Sequence, residues 1–540
     1  MMTITELQQR YAAHPNVEAM SGLLKNPSVR TLFCGGLCAS AASLFSSVLV
    51  QRGEFPFVFI LGDLEEAGYF YHDLTQVLGT DKVLFFPSSF RRAIKYGQKD
   101  AANEILRTEV LSRLQKGEEG LCVVTYPDAL AEKVVSRKEL GDKTLKLHSG
   151  ENVDTNFIME VLRSYGFEYV DYVYEPGQYA VRGSIIDVFS FSSEFPYRID
   201  FFGDEVESIR TFEVETQLSK EKKDSIVIVP DLSRSLEQGG ASGMVSFLDF
   251  LSADTVLAMR DLLWLRERIQ TVHDETLTPQ AIAAREAEES GCITLDGKLI
   301  DGSEFTLRAL DFRRMEFGNK PTGTPDATIT FDTSAQPIFR KNFDMVAESF
   351  KEYMEKGYAL YICSDSMKQT DRIRAIFEDR GDQIAFTAVE RTLHEGLADN
   401  ALRLCIFTDH QLFDRFHKYN LKSDKARSGK VALSLKELNQ FTPGDYVVHT
   451  DHGVGRFSGL VRIPNGDTTQ EVMKLVYQNE DVVFVSIHSL HKVSKYKGKD
   501  GEAPRLNKLG TGAWEKLKER TKTKIKDIAR DLIRLYSQPV

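Results

Sequence analysis

A run of small residues comes close to the pattern of a nucleotide-binding loop. In that loop, G-x-x-x-x-G-K-[ST], backbone N–H groups wrap the phosphates, a lysine pairs with their oxygens and a hydroxyl holds Mg²⁺. The segment from Gly36 to Ser43 has this spacing, but Ala41 replaces the second glycine and Ala42 replaces the lysine. Without the ammonium group, the charge of a triphosphate is not offset. The pattern therefore predicts a degenerate, non-functional nucleotide site.

A later apolar run stands where the second half of such a site would be. There an Asp-Glu pair would orient Mg²⁺ and the attacking water. The run at residues 256–259 is followed instead by Arg260 and Asp261, and a guanidinium in the first of these positions would repel a metal ion. Both halves of the apparatus are lost together. We expect no catalytic residue, no ATP or Mg²⁺ cofactor and no ATP hydrolysis in this chain.

Few other residue patterns in the sequence suggest a metal-binding or catalytic site. Cys34 and Cys38 have a spacing that metal ligands use, but no second Cys/His pair completes a site. His449 and His452 have no carboxylate or cysteine cluster beside them, so a structural role is expected. A net charge of −11 argues against a surface that grips nucleic acid throughout. With neither a signal peptide nor an apolar run of about 20 residues, a cytoplasmic protein is expected.

The elements that would position these residues change in character along the chain. Continuous apolar runs in the first 130 residues, at 31–33, 57–61, 83–86 and 121–125, predict a buried parallel sheet. Runs at 181–189 and 197–202 predict an antiparallel insertion. Strands at 359–363 and 404–407 predict a second α/β unit, and runs at 471–477 and 482–486 predict a hairpin. The apolar stripe of residues 514–535 predicts an amphipathic helix.

A chain of 540 residues is too long for one core, so we predict a multi-domain α/β protein. The predicted parts are an α/β domain in two portions (1–130 and 219–320), a β-rich insertion (131–218), a small α/β domain (326–432), a β-rich domain (440–510) and a helix leading out of it (511–540).

Two sequences inside the predicted insertion have a specific counterpart. YEPGQYAVRGSIIDVF (174–189) and PYRIDFFGDEVESIR (196–210) resemble the UvrA-binding domain shared by UvrB and the transcription-repair coupling factors. In that family two arginines and an aromatic residue on an exposed sheet face contact UvrA, and the resemblance assigns these roles to Arg182, Arg198 and Phe202. The guanidinium groups can pair with carboxylates and Phe202 can anchor the contact. The alternative is that they merely share a solvated face.

A second match lies in the β-rich domain. GDYVVHTDHGVGRFSGL (444–460) resembles the RNA polymerase-interacting domain of the same family, which is related to the transcription regulator CarD. The resemblance implies a Tudor-like β-barrel that binds the polymerase β subunit by adding a strand edge to its sheet. Its contact strand matches residues 472–477, with Leu475 first, then Lys474 and Met473. Alternatively, Met473, Leu475 and Tyr477 alternate into the core.

Together these resemblances imply the non-catalytic amino-terminal part of a coupling factor of the Mfd family. Such a part would bind stalled RNA polymerase and recruit UvrA for nucleotide excision repair, as a monomer with no membrane contact. ATP, Mg²⁺ and DNA would be bound by a motor absent from this sequence, and with the family's final covering domain also absent the UvrA surface should be open. The alternatives are a UvrB-type damage-recognition ATPase and a CarD-like transcription regulator.

Overall fold

The computed structural model shows mixed α/β architecture with several sheets, so the predicted fold class is confirmed at that level. It describes residues 2–89, 101–142, 144–214, 217–230, 232, 244–276, 297–318, 320–415, 417, 419, 442–449, 451–465, 468–486, 493–496, 504–509, 514 and 520. Across these residues, no helix combines the length and the apolar character that crossing a membrane requires.

The first sheet has seven strands, and every pairing in it is parallel. Most of its inner strands are buried on both faces and are continuous apolar runs in the sequence, whereas the inner strand Arg313–Gly318 begins with two half-buried arginines. In spatial order the strands are Ala327–Thr330, Thr31–Gly35, Arg313–Gly318, Val256–Met259, Phe57–Ile60, Cys122–Thr125 and Val83–Phe86.

Helices cover this sheet, and their ends carry recognisable caps. Thr3 and Glu6 form a capping box at the first helix, and Asp301 accepts two backbone N–H groups at the last. The helices are Ile4–Ala12, Pro15–Lys25, Ala41–Arg52, Leu64–Leu78, Ala101–Lys116, Pro127–Leu130, Arg137–Asp142, Leu262–Thr276 and Gly302–Ala309. A small antiparallel pair, Val134–Val135 with Met244–Val245, lies beside a 3₁₀ turn at Phe247–Phe250.

The insertion sheet has six strands: Ser219–Lys223, Glu205–Phe212, Tyr197–Phe202, Ile185–Val188, Gln178–Arg182 and Glu168–Tyr169. All pairs are antiparallel except the last. The run predicted as one strand, 181–189, is divided between two, because Gly183 adopts a φ of +61° and turns the chain. Helix Thr155–Ser164 and the pair Leu145–His148 with Ser225–Ile228 share its core.

The second sheet has six strands: Met2–Thr3, Thr387–Glu390, Ala359–Ser364, Leu404–Thr408, Leu397–Asp399 and Thr333–Ala335. Its helices are Phe343–Glu355, Met367–Asp379 and Asp409–Leu412. The five-stranded sheet is antiparallel throughout, in the order Val482–Ser486, Thr468–Val476, Gly453–Asn465, Tyr446–His449 and Val493–Lys495. A 3₁₀ turn at Gln478–Glu480 joins the two strands of the predicted hairpin.

Three strands cross the predicted domain boundaries. Ala327–Thr330 pairs with Thr31–Gly35 in the first sheet, although a new domain was expected from residue 326. Ser225–Ile228 pairs with Leu145–His148, so the insertion continues past residue 218. Met2–Thr3 extends the second sheet. Each correction arises from pairing between strands far apart in sequence, which local composition does not encode. The predicted helix 511–540 lies outside the described residues, apart from Trp514 and Arg520.

Candidate binding surfaces and the phosphate-loop segment

The two arginines singled out in the insertion do come together, but they meet around a carboxylate of their own chain. Asp187, 1% exposed, lies across the sheet from Arg198, whose Nε and Nη2 donate to Oδ1 and Oδ2 at 2.8 and 2.9 Å. Arg182 Nη2 donates to the same Oδ2. We call these three residues the Asp187 cluster. Much of the charge that was assigned to a partner is therefore satisfied internally.

The cluster is unequally exposed. The side chain of Arg198 is 15% exposed and its guanidinium lies 4.4 Å from the centroid of the Phe212 ring. Hydrogen bonds with Asp187 raise the pKa of Arg198. Arg182 is more open and lies over the ring of Tyr172. Sequence reasoning missed Asp187, although a carboxylate between two arginines on neighbouring strands was a usable signal.

Phe202 stands apart from the cluster as an exposed aromatic side chain. It is 78% exposed and ends its strand, just before the turn at Gly203. The register shifts between Asp200 and Phe201, a bulge that changes the direction of the strand end. Glu205 lies opposite Phe202 on the neighbouring strand, whereas Arg210 lies opposite Arg198 and donates to Asp200. This end of the sheet therefore offers an exposed apolar anchor.

The predicted polymerase contacts lie in a different environment from the one expected. Met473 and Leu475 are both 0% exposed and belong to the core of the five-stranded sheet. Their strand, Thr468–Val476, is hydrogen-bonded to neighbours on both sides, so it is not an edge. The prediction that Met473 and Leu475 are surface contacts is therefore corrected. Side chains alternate along the strand, so these two point into the core, and only Lys474 is half-buried.

An edge is available on the next strand. Val482–Ser486 occupies the end of the described sheet and pairs with Thr468–Val476. Val482 and Phe484 are 38% and 49% exposed, and Lys474 lies opposite Phe484. The strand contains no lysine or proline, the residues that commonly protect an edge from further pairing. We call it the edge strand.

The insertion and the five-stranded sheet touch each other. Tyr174, in the loop that leads to strand Gln178–Arg182, packs against the apolar cluster that contains Val447 and Leu475. Burial raises the pKa of the Tyr174 phenol. The two surfaces identified above therefore lie on adjoining parts of the molecule.

The phosphate-loop segment, residues 36–43, follows strand Thr31–Gly35 and runs into the first turn of helix Ala41–Arg52, as a nucleotide loop would. Gly36 has a φ of +80°. The N–H of Cys38 donates to Thr333 Oγ1 at 3.0 Å, and that hydroxyl donates to the Gly36 carbonyl at 2.6 Å. Ala41 is buried, and Ser43 Oγ donates to Asp73 Oδ2 at 2.8 Å. Polar groups of this segment are therefore engaged by the chain itself.

Arg260 and Asp261 lie at the carboxyl edge of the first sheet with structural partners. Arg260 Nη2 is 2.5 Å from Glu66 Oε1. The Asp261 carboxylate accepts the N–H groups of Leu263 and Trp264 at 2.9 and 3.0 Å, which caps the helix that follows. Within the described residues no group of three or more His, Cys, Asp or Glu is placed to hold a metal ion. Burial raises the pKa of Cys34 to about 12.

The buried carboxyl group of Asp73 should give the free energy of unfolding an unusual pH dependence. Burial raises its pKa from 3.8 to about 7. Because the folded state holds the proton more tightly than the unfolded state, this stabilising contribution is complete below pH 3.8 and is lost as the pH rises through about 7. Relative to Asp73→Asn, the wild type should lose free energy of unfolding between pH 5 and 7, by at most ~1.4 kcal/mol per pH unit. Urea denaturation across that range measures it. The exposed Asp254→Asn is the control, and parallel curves would contradict the prediction.

Comparison with known proteins assigns both regions. Residues 145–233 match the UvrB interaction domain family, and residues 441–497 match the CarD-like/TRCF RID domain family. The transcription-repair-coupling factor of Bacillus subtilis (strain 168) is 23% identical over 575 aligned positions, covering 93% of this chain and 48% of that protein. That of Staphylococcus aureus (strain USA300) is 24% identical, with the same coverage. The chain thus spans about half the length of these curated relatives. The resemblance inferred from the sequence is confirmed: this chain is a relative of the transcription-repair coupling factors and carries matches to their UvrB-interaction and polymerase-interacting domain families.

Proposed function

We propose that this chain is a non-catalytic part of a transcription-repair coupling factor, which binds RNA polymerase through its β subunit and recruits UvrA for nucleotide excision repair. The observation that carries the proposal is the presence of both domain families in one chain. Packing of Tyr174 against the five-stranded sheet adds support, because it joins the regions physically. We expect a cytoplasmic monomer, in which DNA contact would fall to a motor of the kind that the family resemblance implies.

The proposed UvrA surface is the end of the insertion sheet that presents Phe202. Arg182 and Arg198 remain assigned to it by the family pattern. Both arginines also form ion pairs with Asp187, which partly neutralise their charge and make this part of the sheet rigid. An exposed aromatic ring on a rigid sheet loses little conformational entropy on binding, as interface anchors require. We therefore assign the largest single contribution to Phe202.

Phe202→Ala is expected to weaken UvrA binding by roughly 10–30-fold, because an aromatic anchor at the centre of an interface commonly contributes about 2 kcal/mol. The melting temperature should not change, since the ring is 78% exposed in the free chain. Titration calorimetry with purified UvrA measures the affinity. Phe157→Ala, which removes an exposed phenylalanine from the helix of the same unit, is the matched control. Equal affinity of wild type and Phe202→Ala would place the contact elsewhere.

The proposed polymerase surface is the edge strand. A Tudor-like barrel that docks by strand addition needs an unpaired edge with side chains that a partner can cover. Val482 and Phe484 supply the side chains, while Met473 and Leu475 support the strand from the core. Lys474 remains a candidate contact, because it lies opposite Phe484 on the neighbouring strand.

We also propose that the phosphate-loop segment is a degenerate nucleotide site. Ala41, Ala42 and Arg260 stand where the groups that bind phosphate and Mg²⁺ would be. The carboxylate of Glu66 is paired with Arg260. Calorimetric titration of the chain with ATP and Mg²⁺ should give no binding heat. Measurable affinity would instead support a UvrB-type ATPase.

A further inference from the structure

The carboxyl edge of the first sheet, where a nucleotide would lie, is in contact with the second α/β unit. Besides the hydroxyl of Thr333, two backbone groups of a loop at residues 392–396 bond to it. The N–H of Glu395 donates to Ser40 Oγ at 3.0 Å. The N–H of His394 donates to Asp73 Oδ1 at 2.7 Å, and the other oxygen of that carboxylate holds Ser43.

These bonds use the same kind of groups that bind phosphate. In a nucleotide loop the backbone N–H groups face phosphate oxygens and the terminal hydroxyl faces the metal. Here the oxygen facing the N–H of Cys38 belongs to Thr333, and the terminal hydroxyl of Ser43 faces Asp73. A methyl group built on Gly36 would lie 2.0 Å from the carbonyl oxygen of Phe331. The space over this glycine is therefore filled by the chain.

A seam of rings closes the contact beside the loop. Tyr69 stacks on His394 with ring centroids 3.5 Å apart, and its hydroxyl donates to the His417 carbonyl at 2.8 Å. The ring of Tyr419 fills the space beside Gly68, where a Cβ would approach to 2.4 Å.

The apolar cores of the two units are continuous. One hydrophobic cluster contains side chains of the first unit, such as Leu44 and Phe45, together with Cys363, Val389 and Ile406 from the second sheet. Two units that share a core in this way do not separate without exposing apolar surface.

We propose that the second α/β unit, through Thr333 and residues 392–396, is a built-in occupant of the former nucleotide cleft. It takes the place of a nucleotide as the element that closes the first sheet and fixes the phosphate-loop segment. The second unit thereby has a function that is separate from partner binding. Restoring the loop sequence alone should then not restore nucleotide binding, because the occupant stays in place.

The first test is the double variant Ala41→Gly with Ala42→Lys in the full chain, titrated with Mg-ADP. We expect no binding heat up to millimolar nucleotide. Binding with a dissociation constant below about 100 μM, together with an unchanged melting curve, would show that the cleft is open and would overturn the proposal.

The second test does not depend on nucleotide. Thr333→Val keeps the shape of the side chain but removes the hydroxyl, so amide hydrogen exchange at Cys38 should accelerate at least tenfold. Tyr69→Ala should accelerate exchange in residues 36–43 and in residues 392–396 together, because one seam holds both. Tyr353→Ala, a half-buried tyrosine on a helix of the second unit, should leave residues 36–43 protected.

Unchanged exchange at Cys38 in Thr333→Val, or exchange that rises in only one of the two segments in Tyr69→Ala, would contradict a shared closure. If Tyr69→Ala does not fold, the Thr333→Val measurement still decides. Neither readout involves UvrA or polymerase, so failure here is distinguishable from failure of the proposed partner binding.

Discussion

A variant that combines Val482→Glu and Phe484→Glu is expected to lose affinity for the RNA polymerase β subunit by at least ~100-fold. Strand addition covers the side chains on the edge strand, and two buried carboxylates without partners would each cost several kcal/mol. Both side chains are substantially exposed in the free chain, so the fold itself should tolerate the change. Surface plasmon resonance with the β subunit measures the affinity, and circular dichroism checks folding.

Two comparisons sharpen this test. Leu460→Glu places one carboxylate on an exposed residue of strand Gly453–Asn465, which is not an edge, and should leave binding within about twofold. Leu475→Ala should cost about 2–5 kcal/mol of stability, because the side chain is fully buried. Direct contact through Leu475 would give the reverse pattern: binding lost with full stability in Leu475→Ala, and binding retained in the edge-strand variant.

Asp187→Ala is expected to destabilise the insertion by about 3–5 kcal/mol. The carboxylate is buried and accepts from both Arg182 and Arg198, so its removal leaves two cations close together, one of them largely enclosed. Arg198→Ala should be costly for the same reason, and Arg182→Ala less so because Arg182 is more exposed. Thermal and urea unfolding measure these differences.

Glu207→Ala, which removes an exposed carboxylate from the strand that pairs with the strand of Arg198, is the control and should change stability by less than about 0.5 kcal/mol. A double-mutant cycle between Asp187 and Arg198 should show a coupling energy above about 1 kcal/mol. Additive effects would mean that the cluster has no structural role. Loss of UvrA binding in an Arg182→Ala, Arg198→Ala variant must be corrected for the fraction of unfolded protein, since part of the loss would reflect unfolding.

Several features follow from short stretches of sequence. Apolar runs separated by helix-length intervals predict a parallel sheet, and the structure places strands at or within two residues of most of those runs. The strand–loop–helix order around Gly36 is equally local. The two matches at 174–210 and 444–460 identify the family, because their residues are contiguous in the chain.

Other features depend on which strands become neighbours. Ala327–Thr330 reads as the start of a new domain, yet it completes the first sheet, because its partner lies about 300 residues earlier in the chain. Leu475 reads as a contact residue until its strand is found between two others. Asp187 reads as an ordinary strand residue until Arg198 is placed opposite it.

The sequence alone predicted a degenerate nucleotide site and identified the family that the chain resembles, since both depend on residue types at fixed local spacing. Ala41, Ala42 and Arg260 needed no coordinates to argue against nucleotide hydrolysis. Only the tertiary structure decided which side chains are available to partners and what fills the space over the phosphate-loop segment. Exposure is a property of the neighbours a residue acquires on folding, and pairings such as Cys38 with Thr333 join positions that no local pattern relates.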